Sequence, residues 1–295
     1  MKGSRIHLDL LRVFSDLAQE KKFSRAAELN HLTPGAVTQQ IAFLERSLGK
    51  KLVERGRNGC LLTAEGKIFL EASQNILKIY AESAEKIRHP GELSGIVRAA
   101  TIYSVGLYRL PSYIRSFLRG HERVDLRMEY AGAKDIYAGV LKEAYDLGIL
   151  AAPWSHPAVE IIPFAKEKLA LICSPEDELG KMKTVQIRQL RGRKFIAFNN
   201  DIPTRKIVDS LLRQHGTPVN IIHEFDNIET IKRLLEIGMG ISILPENTAS
   251  QEVKNKTLRC IPLSEGPFFR PLGIIRKRAK ILPEATREFI RWLID

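Results

Sequence analysis

The sequence predicts an α/β chain headed by an all-α domain with a hairpin wing, and three observations carry that reading. Residues 23–66 set two short helical patterns and a turn ahead of a hairpin dipeptide. A helical pattern then opens at Thr63 and runs to about Arg88, where Pro90–Gly91 stops it. From Gly95 onward, short strand-like runs alternate with helical ones, the order that parallel sheets require.

Taken in order, His7–Gln19 is the first helix, because Leu10, Leu11, Phe14, Leu17 and Ala18 repeat at i, i+1, i+4, i+7 and i+8. Ser24 is placed to N-cap a second helix, with Ala26, Ala27 and Leu29 as its apolar face, and the chain turns at Asn30–His31. Thr33 caps a third helix. Pro34 follows where its missing N–H costs nothing, and Leu32 and Val37 have the spacing of a hydrophobic staple. Val37, Ile41, Leu44 and Leu48 form the stripe to be buried, which turns Gly35, Thr38, Gln39, Ala42 and Arg46 outward. Small and amide side chains on a short helix that crosses another behind it suit the major groove of DNA. Gly49 ends that helix. Leu52–Val53 and Leu61–Leu62 read as strands about the type I′ dipeptide Asn58–Gly59, a hairpin over 51–63 with Arg55 and Arg57 near its tip for phosphate pairing.

In the long helix, Phe69, Ala72, Ile76, Ile79 and Ser83 follow three-and-four spacing, a seam that wants a second helix. A domain of about 60 residues has nothing obvious to cover it, so the seam predicts self-association and, by two-fold symmetry, an interrupted inverted repeat in double-stranded DNA.

The helix, turn, helix and wing resemble those of the LysR-type transcriptional regulators through FSRAAELN, AVTQQIAFLERSLG and ERGRNGCLLTAEG. The sequence departs from the common pattern at Pro34 and Gly35, where many members carry Gln then Pro, and at Val53, where Phe is usual. The resemblance implies a winged helix-turn-helix over 1–63 with Ser24, Thr33, Pro34, Gly35, Thr38, Gln39, Arg55 and Arg57 at the DNA, and a dimerising linker helix over 64–90. It further implies a homodimer or a dimer of dimers, a small-molecule effector that alters how the assembly bends DNA, and RNA polymerase as a possible partner.

Strands are expected at 95–102, 124–130, 145–150, 159–164, 168–174, 194–198, 221–225, 240–244 and 272–276, with helices at 108–119, 136–144, 204–214, 228–237 and 284–293. The second set repeats the β-α-β-α-β order of the first, which suggests two similar subdomains. This arrangement, with NIETIKRLLEIGMGISILPENTA, resembles the effector domain of the LysR family, which is similar to periplasmic binding proteins. An effector domain over 91–295 is expected, with subdomain I at about 91–165 and 268–295, subdomain II at about 166–267, and chain crossings near 163–168 and 265–271.

Ligands of open parallel sheets bind outside the carboxyl ends of the strands. Here those ends carry Tyr103, Ser104 and Val105, then Asn199 and Asn200 before Thr204 and Arg205, then Asn227 before Ile228. Helix capping competes for each of these polar residues; in the family the same loops face one another across a cleft. Converging helix N-termini beside Arg205 favour a small anion, with Tyr103 and Trp154 as apolar walls.

Composition bounds the rest. A net charge of +12 favours polyanionic partners, and it is spread over the chain: residues 1–89 hold 15 Lys/Arg against 10 Asp/Glu, and the remainder 31 against 24. Asp9, Arg12 and Asp16 break the N-terminal apolar run, and no stretch has the length of a membrane span, so a cytoplasmic protein without membrane contact is expected. The seven histidines are scattered, and GxSxG, GxxxxGK[ST] and HExxH are absent, which argues against an enzyme, a metal or a cofactor. Two other readings stand beside regulation by an effector. Cys173 and Cys260 fall on expected strands and could sense redox state, and the second half alone would suit a solute-binding protein.

Overall fold

In a computed structural model, residues 6–56, 59–88 and 91–295 are described. The chain divides into two units, Met1–Gly91 and Glu92–Asp295.

The first unit is α1 (Leu8–Glu20), α2 (Phe23–Leu29), α3 (Pro34–Leu48), the hairpin β1 (Val53–Gly56) and β2 (Gly59–Leu62), and α4 (Ala64–Arg88). Val13, Phe14, Leu17, Ala26, Ala27, Val37, Ile41, Leu44 and Leu52 make its core, and Phe69 of α4 sets its ring 5.2 Å from that of Phe14. Asn30 fixes the turn by donating to Asp16 at 2.7 Å and to the Ala26 carbonyl at 2.9 Å. Three expectations are corrected. Extended Lys22 occupies the N-cap of α2, so Ser24 lies inside its first turn. Leu29 and Leu48, each the last residue of its helix, remain 47% and 41% exposed where the stripe runs past the core. Gly56 pairs with Gly59, so Gly59 belongs to β2 instead of the turn centre; Arg57 and Asn58 lie outside the described residues.

The second unit is one mixed nine-stranded sheet flanked by helices. Its first half holds β3 (Gly95–Thr101), α5 (Tyr103–Tyr108), α6 (Leu110–Gly120), β4 (Val124–Tyr130), α7 (Ala133–Leu141) and β5 (Leu147–Ala151). β6 (Val159–Cys173) leads into the second half, with β7 (Lys194–Phe198), α8 (Pro203–Gln214), β8 (Asn220–Phe225), α9 (Ile228–Glu236), β9 (Ile241–Pro245), α10 (Ser250–Lys254) and β10 (Arg259–Ile261). β11 (Phe268–Lys277) returns to the first half, where α11 (Glu284–Ile294) packs on β3 and α6. The strand order is β4-β3-β5-β11-β6-β9-β7-β8, with β10 beside β6. β3 runs parallel to β4 and β5, and β7 to β8 and β9, whereas β6 and β11 are antiparallel to their neighbours.

The two strands expected at 159–164 and 168–174 are thus one, because Lys166–Glu167–Lys168 does not break the ladder: Glu167 turns inward, 4% exposed, to a buried partner on β11. Similarly, the expected loop at 103–106 is the start of α5, five residues ahead of the predicted helix. Separate cores form in the two halves, one about Val97, Phe117, Ile149 and Phe289, the other about Leu171, Phe195, Leu211 and Ile243.

Candidate functional site

The N-terminal site is built on the start of α3. Thr33 accepts a hydrogen bond from the Ala36 N–H at 3.2 Å and so caps the helix, with Pro34 in the first turn. Val37, Ile41 and Leu44 bury one face, which leaves Thr33, Pro34, Gly35, Thr38 and Gln39 exposed on another. The Thr38 hydroxyl donates to the Pro34 carbonyl at 2.9 Å, so the side chain offers its methyl group and acceptor lone pairs outward. Arg55 lies on β1; Arg57 falls outside the described residues.

Glu45, which sequence reasoning passed over, ties this helix to the wing. It is 8% exposed and accepts from Lys51 at 2.6 Å and from the Leu52 and Val53 N–H groups at 3.0 and 3.3 Å. Burial works against its charge, but these hydrogen bonds outweigh burial and hold the carboxyl below the ordinary glutamate range.

The second site lies where the two halves of the large sheet meet. A cavity of about 90 Å³ is lined by Tyr103 and Ser104 of α5, Thr204 of α8, Asp226, Ile228 of α9 and Arg270 of β11. Arg270 is 1% exposed and organises it. Its guanidinium donates to Glu167 at 2.6 and 2.7 Å, to the Thr204 hydroxyl at 3.0 Å and to the Ser104 hydroxyl at 3.0 Å, and Asn247 completes Glu167 at 2.8 Å. Complete burial lowers the Arg270 pKa against the pull of Glu167, and an arginine still keeps its proton. Because both hydroxyl oxygens accept from Arg270, each retains its own proton to donate elsewhere.

The family model described as "LysR substrate binding domain" matches residues 90–295, and "Bacterial regulatory helix-turn-helix protein, lysR family" matches residues 8–67. The chain is a LysR-type transcriptional regulator. The regulator is similar to the uncharacterized HTH-type transcriptional regulator YbhD of Escherichia coli (strain K12), at 28% identity over 289 residues, 98% of this chain and 91% of the relative. Among solved structures, a full-length OxyR variant from Pseudomonas aeruginosa shares its fold with a TM-score of 0.70 at 22% identity, over 99% of this chain and 95% of that one. Full-length CbnR complexed with its target DNA does so with a TM-score of 0.62 at 23% identity, over 98% of each chain.

Of the residues expected around the effector, the regulator brings Tyr103, Ser104, Thr204 and Ile228 together at the cavity. Others lie elsewhere, each for a physical reason. Arg205 is turned away: it donates to Asp209 at 2.8 Å, to Glu224 at 2.5 Å and to the Phe198 carbonyl at 2.6 Å. Val105 is fully buried in the first core. Asn227 caps α9, accepting from the Glu229 N–H at 2.8 Å. Asn199 and Asn200 do not line the cavity, and the Asn199 N–H is spent on the Phe225 carbonyl at 2.9 Å. Trp154 lines a neighbouring groove, stacked on Tyr137 with ring centroids 3.8 Å apart.

The cysteine pair gains no support as a switch. Burial pushes the Cys173 thiol up to about 12 and the Cys260 thiol up to about 11, leaving almost no thiolate at neutral pH. Among the described residues no helix is long and apolar enough to cross a membrane.

Proposed function

We propose that this LysR-type regulator reads an interrupted inverted repeat with two copies of α3 and answers to a small anion in the cavity beneath Arg270. Thr33, Pro34, Gly35, Thr38 and Gln39 enter the major groove, with Thr38 and Gln39 at base edges, Ser24 at the flank, and Arg55 and Arg57 on phosphates. Dimerisation through α4 is supported by Ile76, Ile79 and Tyr80, which stay 46%, 62% and 55% exposed on a helix of 25 residues. Pairing of dimers and contact with RNA polymerase belong to the same reading, as does action by binding rather than catalysis, in the cytoplasm.

The observation that carries the effector assignment is the Arg270 cluster. It joins a hydroxyl on α5 to one on α8 and leaves both protons free, which suits an acceptor such as a carboxylate. A ligand bound there contacts both halves of the sheet, so it favours one arrangement of them over another; without that difference it regulates nothing. The test is fluorescence anisotropy with the regulator's own promoter region against random duplex at physiological salt, followed by thermal-shift screening of small carboxylates and inorganic anions. Equal affinity for the two duplexes rules out the reading.

A further inference from the structure

Beside the Arg270 cavity lies a groove of about 780 Å³, within the range of small-molecule sites. We infer that this groove is a second ligand site, separate from the cavity, and that it takes a planar aromatic acid. Its walls are Trp154, Ile207, Leu211, Phe268 and Phe269. Trp154 is held in place, one face stacked on Tyr137 at an interplanar angle of 14° while the Tyr137 hydroxyl donates to the Trp154 carbonyl at 2.5 Å. The indole is still 39% exposed and the Phe269 ring 46%, two large aromatic surfaces open to one concavity. Aromatic faces of this kind gain from offset stacking with a flat ring.

Charge selects an acid over a neutral ring. At the rim Lys134 pairs with Asp201 at 3.5 Å, while Lys206, exposed on α8, has no carboxylate within 4.0 Å among the described residues. The rim therefore carries one uncompensated positive charge above an apolar floor.

The groove takes Lys134 and Trp154 from the first half of the sheet, α8 from the second, and Phe268–Phe269 from the strand that joins them. Pro203 lines both the groove and the Arg270 cavity, so an occupant of the groove touches the N-terminal end of α8, which also bears Thr204. The two sites thus meet at Pro203 and share no other lining residue.

The experiment titrates the full-length regulator with 1-naphthoate, reading tryptophan fluorescence and calorimetry, with 1-naphthamide as the neutral counterpart. Saturable quenching that disappears in Trp154→Phe, with affinity about tenfold weaker for the amide and for Lys206→Glu, supports the site. Ser104→Ala, in the cavity, then leaves naphthoate binding in place. No saturation up to about 10 mM, an affinity too weak for a built site, overturns the proposal. So does equal binding of amide and acid, or binding lost in Ser104→Ala but kept in Lys206→Glu, which locates the ligand in the cavity instead. Naphthoate binding only where it changes the oligomeric state assigns the groove to a second copy and overturns it as well.

Discussion

Arg270 and Glu167 are each nearly without solvent contact, and their pairing decides how the middle of the large sheet is built. Arg270→Met leaves the Glu167 carboxylate buried with Asn247 as its one remaining side-chain partner among the described residues, and it is expected to destabilise the C-terminal unit by about 3–5 kcal/mol. Adding Glu167→Leu to that variant should recover much of the loss, because a well-packed apolar pair replaces the ion pair. Urea unfolding followed by tryptophan fluorescence measures both, since Trp154 and Trp292 lie in this unit. Glu45 supplies a second case. Its carboxyl sits below the ordinary range when folded, so its contribution is complete above the unfolded value and fades as pH falls through the folded one. Amide protection factors at Leu52 and Val53, taken against the intrinsic exchange rate at each pH, should fall over that acidic window, and in Glu45→Ala they should be low already at neutral pH, at a cost of about 1–3 kcal/mol. Neither residue announces itself in the sequence. Arg205 stood beside a helix start and drew the anion assignment, while Arg270 is 103 residues from Glu167 and 166 from Ser104, distances at which local pattern carries no information.

The wing hairpin is legible in outline, because Gly and Asn punctuate it, but its register turns on a contact outside the hairpin. At φ +133°, Gly59 brings its backbone so close to α1 that a Cβ there would stand 2.2 Å from the Lys21 carbonyl oxygen, while the Cys60 N–H donates to that same oxygen at 2.8 Å. Gly59→Ala is expected to lower the stability of the N-terminal unit by more than about 1 kcal/mol, read as a lower thermal midpoint by circular dichroism, since both backbone angle and space oppose it. For α3 the caps and the apolar stripe were readable, and they decide the outward face. Replacing Gln39 by Ala should relax preference at particular base pairs, whereas Arg57→Ala should weaken binding to every duplex and reduce the salt slope by about one; anisotropy across a salt series separates the two. β6 was the least legible element. Charged residues at 166–168 look like a boundary until Arg270 is known to stand opposite Glu167.

Across the C-terminal unit, two polar clusters bind one half of the sheet to the other. Besides Arg270, Lys232 of α9 is 1% exposed, donates to the Thr248 carbonyl at 2.9 Å and to Glu252 at 2.8 Å, and meets Tyr108 of α5, which itself donates to Glu229. Burial and the neighbouring carboxylates raise the Tyr108 pKa, so the phenol stays protonated as the donor. Lys232→Met should cost about 3–5 kcal/mol, while Tyr108→Phe should cost about 1 kcal/mol, in the same urea assay. Alternation of strands and helices was enough to foresee two lobes, yet not that one ladder would run through both. β6 and β11 stay paired from Phe268 opposite Leu169 to Lys277 opposite Val159, with one irregularity at Leu272–Gly273. A pair of strands bonded along such a length resists being bent apart but yields to torsion, as a ribbon does. Strands so paired share one twist, and the ladder slips only where Leu272 faces Ala165 and Gly273 faces Pro163, so that step is the one place where the twist of either strand can change without breaking the pairing on both sides.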